Sequence, residues 1–490
     1  MSKISLFNSL VKYRSLQDFT PFDDNTVRMY SCGPTVYNYA HIGNMRAFLF
    51  ADLLQRVLRV VGKYNVKWVM NITNIDDKTI RDSAVGSAEW LPEMGTQTND
   101  GKQNLLLFTD YFEKSFLEDI SKLGIKPEHF FAMPKATEYI SQMQDLIRSI
   151  VDKGIGYISD GSVYFSVSEW RKTDEYGKLY NIDFNNFRSG VRIDADEYER
   201  EDVSDFVLWK AKKPNEPHWD FEINGQQCPG RPGWHIECSA MEKELLGLPF
   251  DIHTGGVDLK FPHHEDEIAQ SKAGYGIEPT AFWCHNEFLE VEGEKMSKSK
   301  GNFFTLRELL NKGIDPLDIR FAMFSVHYRS VYNFTFDGLK AASKARIRIQ
   351  DYIYELFSTG NNKSVNGETI INFKDKIFNH LANDLHTPYA LSEIFTFINS
   401  YPAKSLDDKA REEAIKLFRD LNDIFDVWII GKKIEEKIEI PQEIIALAEQ
   451  RLRVKSVKDF AEADKLRQII LDSGYILKDT KDSYVIEKKD

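Results

Sequence analysis

The sequence predicts an α/β fold built on a parallel sheet, followed by a helical carboxyl-terminal half. Three observations carry that expectation. Short apolar strand-like runs alternate with helical spacing in the first hundred residues; the alternation resumes near Cys238 and continues to about Phe288; beyond Ala341 the pattern is helical throughout.

The elements follow in chain order. Val27-Arg28-Met29-Tyr30-Ser31-Cys32 reads as a buried strand stopped by the turn pair Gly33-Pro34. A helix is expected from near His41. In it Leu49, Leu53, Leu54, Val57, Leu58 and Val61 share helical spacing with Asp52, Gln55, Arg56, Arg59 and Lys63. Residues 67–72 form a second strand, ending in Thr73 and Asn74. Strand, helix and strand at this length make a parallel unit, and such sheets bind ligands at the carboxyl ends of their strands. Cys32 and Thr73 both fall there. Residues 83–104 are polar and unperiodic and read as a mobile surface loop. Residues 105–225 mix amphipathic helices, such as 137–151, with short strands, such as 162–167. The acidic stretch 194–205 reads as a solvated face or loop, with a metal role as the minority alternative. Breaks at 358–367 and 431–440 divide the helical half, and no repeat or low-complexity tract is present.

Composition bounds the class. A chain of 490 residues, 42% hydrophobic, is long for one core, so several domains are expected. No apolar run approaches the roughly 18 residues of a membrane helix, and the first ten residues carry no signal pattern. The expectation is a soluble, cytoplasmic protein with no membrane partner. Four cysteines, Cys32, Cys228, Cys238 and Cys284, are too few for a secreted disulfide scaffold; reduced thiols, buried or ligating metal, are expected. A net charge of -13 argues mildly against a nucleic-acid partner, although a basic face can sit on an acidic body.

Three segments carry chemistry. Residues 33–44, Gly-Pro-Thr-Val-Tyr-Asn-Tyr-Ala-His-Ile-Gly-Asn, lie between a strand and a helix start, where backbone N–H groups and the helix dipole favour an anion. His41 can donate to a phosphate and Gly43 admits a nucleotide to the backbone; a plain structural turn fits the spacing equally well. Residues 295–302, Lys-Met-Ser-Lys-Ser-Lys-Gly-Asn, supply a cation-rich loop suited to charge developing on pyrophosphate, or simply a solvated basic loop. The third runs from Pro229 through Gly-Trp-His-Ile-Glu-Cys-Ser-Ala-Met (233–241) and 251–259 to Phe-Pro-His-His-Glu-Asp-Glu (261–267). His263 and Glu267 stand four apart and share a helix face, a spacing that can ligate zinc. Pro262 suits the first helical turn. Cys32 and Cys238 complete a tetrahedral set only if the fold brings them there.

His-Ile-Gly-Asn (41–44) and Lys-Met-Ser-Lys-Ser (295–299) together resemble the paired signatures of class I aminoacyl-tRNA synthetases. Asn44 departs from the usual second histidine: an amide can donate to a phosphate oxygen but carries no charge. Cys32 within Tyr-Ser-Cys-Gly-Pro-Thr-Val-Tyr, the 233–241 block and the 261–267 block are similar to the cysteinyl-tRNA synthetase family over nearly the whole chain. The resemblance implies a Rossmann-like catalytic domain split into 1–104 and 226–290 by a connective insertion at 105–225. It continues with a signature-loop region at 291–340, a helical bundle at 341–430 containing Asn-Asp-Leu-His-Thr-Pro (383–388), and a small anticodon-binding domain at 435–490. It implies one zinc on Cys32, Cys238, His263 and Glu267, ATP with magnesium, and L-cysteine and a cysteine tRNA as partners of a monomer. Thr73, Trp234 and His253 match the cysteine pocket. Gly43, Gly256, Asp258, His285, Asn286 and Lys298 match the ATP site, with His41, Asn44, Lys295 and Lys298 as the phosphate-holding catalytic groups. Cys228 and Cys284 match no ligand position, and 220–229 differs from the family's usual run.

The implied chemistry is coherent. Cysteine differs from serine by one atom, a difference worth only about 1–3 kcal/mol in an apolar pocket. A soft metal binds thiolate strongly and alcohol poorly. At the carboxyl end, the cations Arg451, Arg453, Lys455, Lys458, Lys465 and Arg467 suit phosphates, or else a salt-bridged surface helix; Tyr484 stands where the family often has tryptophan. The alternative activity is a cysteine ligase of the mycothiol pathway, which shares the catalytic domain but lacks an extension like 435–490.

Overall fold

A computed structural model describes residues 3–182, 205–297, 301–358, 367–433, 440–479 and 483–488. The chain divides into two compact units, Met1–Gly431 and Lys432–Asp490.

The first unit opens with a hairpin, β1 (Ser5–Asn8) and β2 (Ser15–Asp18), before β3 (Thr26–Ser31), α1 (Ile42–Val60) and β4 (Asn65–Met70). β3 and β4 pair in parallel, as expected of that strand–helix–strand unit. Residues 84–100 are a loop carrying one short turn that buries Met94, set between α2 (Asp77–Ser83) and α3 (Gly101–Lys122). Asp100 accepts from Lys102 N–H and Gln103 N–H, so α3 begins inside the stretch read as loop.

Next come α4 (Ile140–Asp152), β5 (Gly156–Ser159), β6 (Ser162–Phe165), α5 (Val167–Trp170), β7 (Phe206–Ala211), the small hairpin β8 (Glu222–Ile223) and β9 (Gln226–Gln227), and β10 (Gly230–Pro232). β5, β6, β7 and β10 form an antiparallel sheet with its own core around Phe165, Trp209 and Ile147. Asn224 and Gly225, both at positive φ, turn the β8–β9 hairpin, which accounts for the atypical 220–229 run. The acidic stretch 194–205 lies outside the described residues except for Asp205, whose carboxylate accepts from Val167 N–H and Tyr157 OH.

The main sheet is completed by α6 (Trp234–Leu245), β11 (Phe250–Gly256), α7 (His263–Tyr275) and β12 (Thr280–Asn286). Its order is β12-β11-β3-β4, all parallel. The chain leaves β3 toward β4 on one side and returns with β11 on the other. The topological switch point therefore falls between β3 and β11, where such sheets open a ligand crevice.

β13 (Leu289–Val291), β14 (Glu294–Lys295), α8 (Leu306–Asn311), α9 (Pro316–Phe324) and β15 (Tyr332–Phe334) lead to the bundle of α10 (Phe336–Ser358), α11 (Gly367–Ala382), α12 (Thr387–Ser400) and α13 (Asp408–Phe425). The α11–α12 turn, with Asp384 and Leu385 at positive φ, is tied to the body: Asp384 accepts from Phe7 N–H, Tyr328 OH and Arg329 Nε.

In the second unit, α14 (Gln442–Ser456) and α15 (Phe460–Asp472) pack with a hairpin, β16 (Tyr475–Asp479) and β17 (Tyr484–Lys488), around Ile444, Ala448, Ile470 and Leu477. The hairpin corrects the expectation of helix to the end of the chain. Arg451 is also corrected: it is buried and donates to both carboxylate oxygens of Asp479, a packing role rather than a phosphate contact.

Candidate active site

The loop after β3 is fixed by close backbone approach. A Cβ on Gly33 would stand 1.7 Å from the Asn71 carbonyl oxygen, so only glycine fits between β3 and β4 there. Gly33 N–H donates to Asn71 Oδ1, Asn71 Nδ2 donates to Thr73 Oγ1, and Thr73 Oγ1 donates to Glu237 Oε2 on α6. Cys32, one residue past β3, thereby comes to rest at the switch point facing α6 and α7.

Cys238 stands on α6, and His263 and Glu267 on α7. Cys32 Sγ lies 3.9 Å from Cys238 Sγ and 3.7 Å from Glu267 Oε1. His263 Nε2 lies 3.6 Å from Cys238 Sγ and 2.9 Å from Glu267 Oε1. All four ligand atoms lie within 4.8 Å of one another. A tetrahedral ion with bonds of about 2.3 Å to sulfur separates two sulfurs by roughly 3.8 Å, so the donor set fits zinc in type and spacing.

The surroundings point the donors inward. His263 Nδ1 lies 3.0 Å from His235 Nδ1, and His235 Nε2 lies 3.6 Å from Asp266 Oδ2. Asp266 Oδ1 accepts from Tyr176 OH. Such outer contacts fix which imidazole nitrogen faces a metal. Burial pushes the Cys32 thiol up to about 12 and the Cys238 thiol well above its ordinary value. Thiols in this position ionise when a cation compensates the charge. Burial opposes a charge on His263, but Glu267 and Cys238 outweigh it and raise its pKa to about 10.

Around this cluster stand the residues expected in an amino-acid pocket. Trp234 stacks on His263 at 4.2 Å between ring centres. Thr73 is buried beside Asn71 and Glu237. His253 is buried on β11, stacked on Trp283 at 4.3 Å, with Nε2 facing Glu267 and Glu242. Three residues escaped sequence reasoning. His264 Nε2 lies 3.3 Å from Cys32 Sγ, its Nδ1 is 2.8 Å from His285 Nε2, and His264 belongs to a second donor group with Cys32, His253 and Glu267. Glu242 and Trp283 sit behind His253. Glu242 is four residues past Cys238 on one helix, a spacing that could have revealed it; Trp283 carries no such signal. Cys228 and Cys284 are buried elsewhere, Cys228 in the core of the antiparallel sheet and Cys284 against the Phe7 carbonyl.

The residues expected to meet ATP lie on the loops at the start of α1 and after β11, β12 and β14. His41 caps α1: its Nδ1 accepts from Asn44 N–H, and Asn44 Oδ1 accepts from His41 N–H. This reciprocal cap fixes the start of α1 and takes up two of its N–H groups. Asn44's carbonyl oxygen is thus committed, and its NH2 is what it can offer a phosphate. Ile42 N–H donates to the Phe304 carbonyl, and a Cβ on Gly43 would stand 2.5 Å from Met296 Cε. The two signature segments, some 250 residues apart, therefore touch. Lys295 is exposed at the end of β14, and Asn302 closes the loop by accepting from Ser297 N–H and donating to the Lys295 carbonyl. Lys298 lies outside the described residues. Gly256 and Asn286 face each other across β11 and β12, as do Gly255 and His285. Exposed Asp258 follows Gly256 at the mouth of this edge.

A crevice at the switch point, paired signature loops and a capped helix start define a class I aminoacyl-tRNA synthetase. A family model described as "tRNA synthetases class I (C) catalytic domain" matches residues 18–344. The chain is 41% identical to a cysteine--tRNA ligase of Leptospira interrogans, over 100% of both chains. It is 42% identical to one of Solibacter usitatus, over 98% of both. The fold is similar to that of Mycobacterium tuberculosis methionyl-tRNA synthetase, with a TM-score of 0.58 and 12% identity over 82% of this chain and 92% of that one. The chain belongs to the cysteine--tRNA ligase family.

Proposed function

We propose that the protein activates L-cysteine with ATP and joins it to the 3′-terminal ribose of a cysteine tRNA, using zinc held by Cys32, Cys238, His263 and Glu267. The observation that carries this reading is the convergence of two thiols, an imidazole and a carboxylate at the switch point, beside the loop that leads into the α1 cap. Zinc bound there supplies a soft Lewis acid that prefers a thiolate sulfur to an alcohol oxygen.

The chain's own groups do the rest. Trp234 and Thr73 wall the amino-acid pocket and orient the substrate carboxylate toward the nucleotide. That carboxylate attacks the α-phosphorus of ATP, forming cysteinyl-adenylate and releasing pyrophosphate, with magnesium accompanying the phosphates as part of the substrate. His41, the NH2 of Asn44, Lys295 and Lys298 neutralise charge that grows on the departing group. Gly43 and Gly256 give the nucleotide room, Asp258 accepts from its ribose hydroxyls, and His285 and Asn286 line its edge. No protein nucleophile is required; catalysis is positioning and electrostatics. In the second step a terminal ribose hydroxyl displaces AMP from the adenylate. The Lys432–Asp490 unit reads the anticodon region, with Arg453, Lys458, Lys465 and Arg467 as its exposed cations.

Full-length matches to cysteine--tRNA ligases, terminal unit included, disfavour the amino-sugar ligase alternative. The test offers the purified protein cysteine, ATP and either a cysteine tRNA transcript or an amino-sugar acceptor. Cysteine should be esterified to the tRNA alone; transfer to the amino-sugar with none to tRNA would reverse the assignment.

A further inference from the structure

We propose that Glu242 is a positioning residue that sets how tightly the Cys32, Cys238, His263 and Glu267 donor set holds its metal; this rests on the zinc reading above. Glu242 lies one helical turn beyond Cys238 on α6, so the two project from the same face. It is 0% exposed; among the described residues its Oε2 has no hydrogen-bond partner, while its Oε1 is met by the His253 imidazole. A buried carboxylate with one oxygen left unpartnered is costly and calls for a reason.

The reason lies across the gap. Glu242 Oε1 stands 2.9 Å from His253 Nε2, and the same nitrogen stands 2.8 Å from Glu267 Oε2. Glu267 turns its other oxygen to the donor set, 2.9 Å from His263 Nε2 and 3.7 Å from Cys32 Sγ. A carboxylate–imidazole–carboxylate chain thus runs from Glu242 through His253 to a ligand. One imidazole N–H cannot serve two carboxylates at full strength. With Glu267 bonded to a cation, Glu242 is the group left to hold that N–H, which fixes the ring of His253 and, through it, the side chain of Glu267. His253 is itself pinned against Trp283, so the chain has little freedom to relax. Outer contacts of this kind govern metal affinity by about 10–100-fold.

The test measures zinc affinity of the full-length protein by competition with a chromogenic chelator, for wild type, Glu242→Gln, His253→Asn and the double variant. Glu242→Gln should bind zinc about 10–100-fold more weakly, and the double variant no more weakly than His253→Asn alone, because both changes cut one chain. Thermal unfolding of the zinc-saturated proteins reports folding. If Glu242→Gln does not fold, Glu242→Asp, which keeps the charge but draws it back, should show weakened binding of the same kind. Wild-type affinity in the folded Glu242 variant would overturn the proposal, as would losses that multiply in the double variant. A wild-type protein that binds no zinc would overturn the zinc reading itself, and this proposal with it.

Discussion

At the scale of the residue, the site depends on what Gly33 lacks. Its missing Cβ lets the backbone pass the Asn71 carbonyl, and its N–H ties the loop to Asn71, Thr73 and Glu237 in series. Gly33→Ala must push β3 from β4 just where Cys32 leaves the strand. We predict a stability loss of about 1–3 kcal/mol in urea unfolding, together with lowered zinc content; unchanged values in both would contradict this account of the loop. Some of the site was legible at this scale and some was not. The i,i+4 spacing of His263 and Glu267 announced a shared face, and the structure places their ligand atoms 2.9 Å apart. Cys32 and Cys238 are 206 residues apart, and nothing in their spacing brings them together; resemblance supplied that pairing. His264 was missed because its importance comes from β11 and β12, strands that meet it only in the fold.

At the scale of the element, α1 shows how a correct helix can hide an unexpected environment. Its apolar stripe predicted the helix, but the middle of its polar stripe is buried as well: Asp52 and Gln55 are 0% exposed. Asp52 accepts from Arg56 Nε and from Arg320 Nη2 of α9, and Arg56 reaches Asp426 beyond α13. Those partners lie hundreds of residues downstream, beyond what a helical pattern can report. Burial pushes the Asp52 carboxyl up, but Arg320 and Arg56 prevail and hold it below its ordinary 3.8. A depressed carboxyl gives stability that is present above its unfolded value, about 4, and is lost as pH falls through the folded value. Asp52→Asn leaves two arginines without their buried counter-charge and should cost about 3–5 kcal/mol near neutral pH. The difference from wild type should shrink as urea midpoints are followed below about pH 4. A difference independent of pH would show that Asp52 acts through packing alone. The closing hairpin was missed for a similar reason: Tyr475-Ile476-Leu477 and Tyr484-Val485-Ile486 are short strand-forming runs embedded in charge. Arg451 then serves that hairpin through Asp479.

At the scale of the whole molecule, one sheet topology explains why distant segments cooperate. The order β12-β11-β3-β4 sets the topological switch point between β3 and β11, and Cys32 follows the end of β3 there. On the proposed function the soft donors take the sulfur of the amino acid, and the capped α1 with Lys295 takes the phosphates of the nucleotide. The net charge of -13 gave no hint of this, because the relevant cations are few and local. On the proposed function, selectivity for cysteine comes from a soft metal held by Cys32, Cys238, His263 and Glu267. It is tested most directly by metal analysis combined with amino-acid-dependent ATP–pyrophosphate exchange before zinc removal, after it and after zinc is restored. The expected result is about one zinc per chain, exchange with cysteine but not serine, loss of exchange on removal and its return with zinc. Undiminished exchange in fully zinc-free protein, or serine supporting exchange as well as cysteine does, would contradict it.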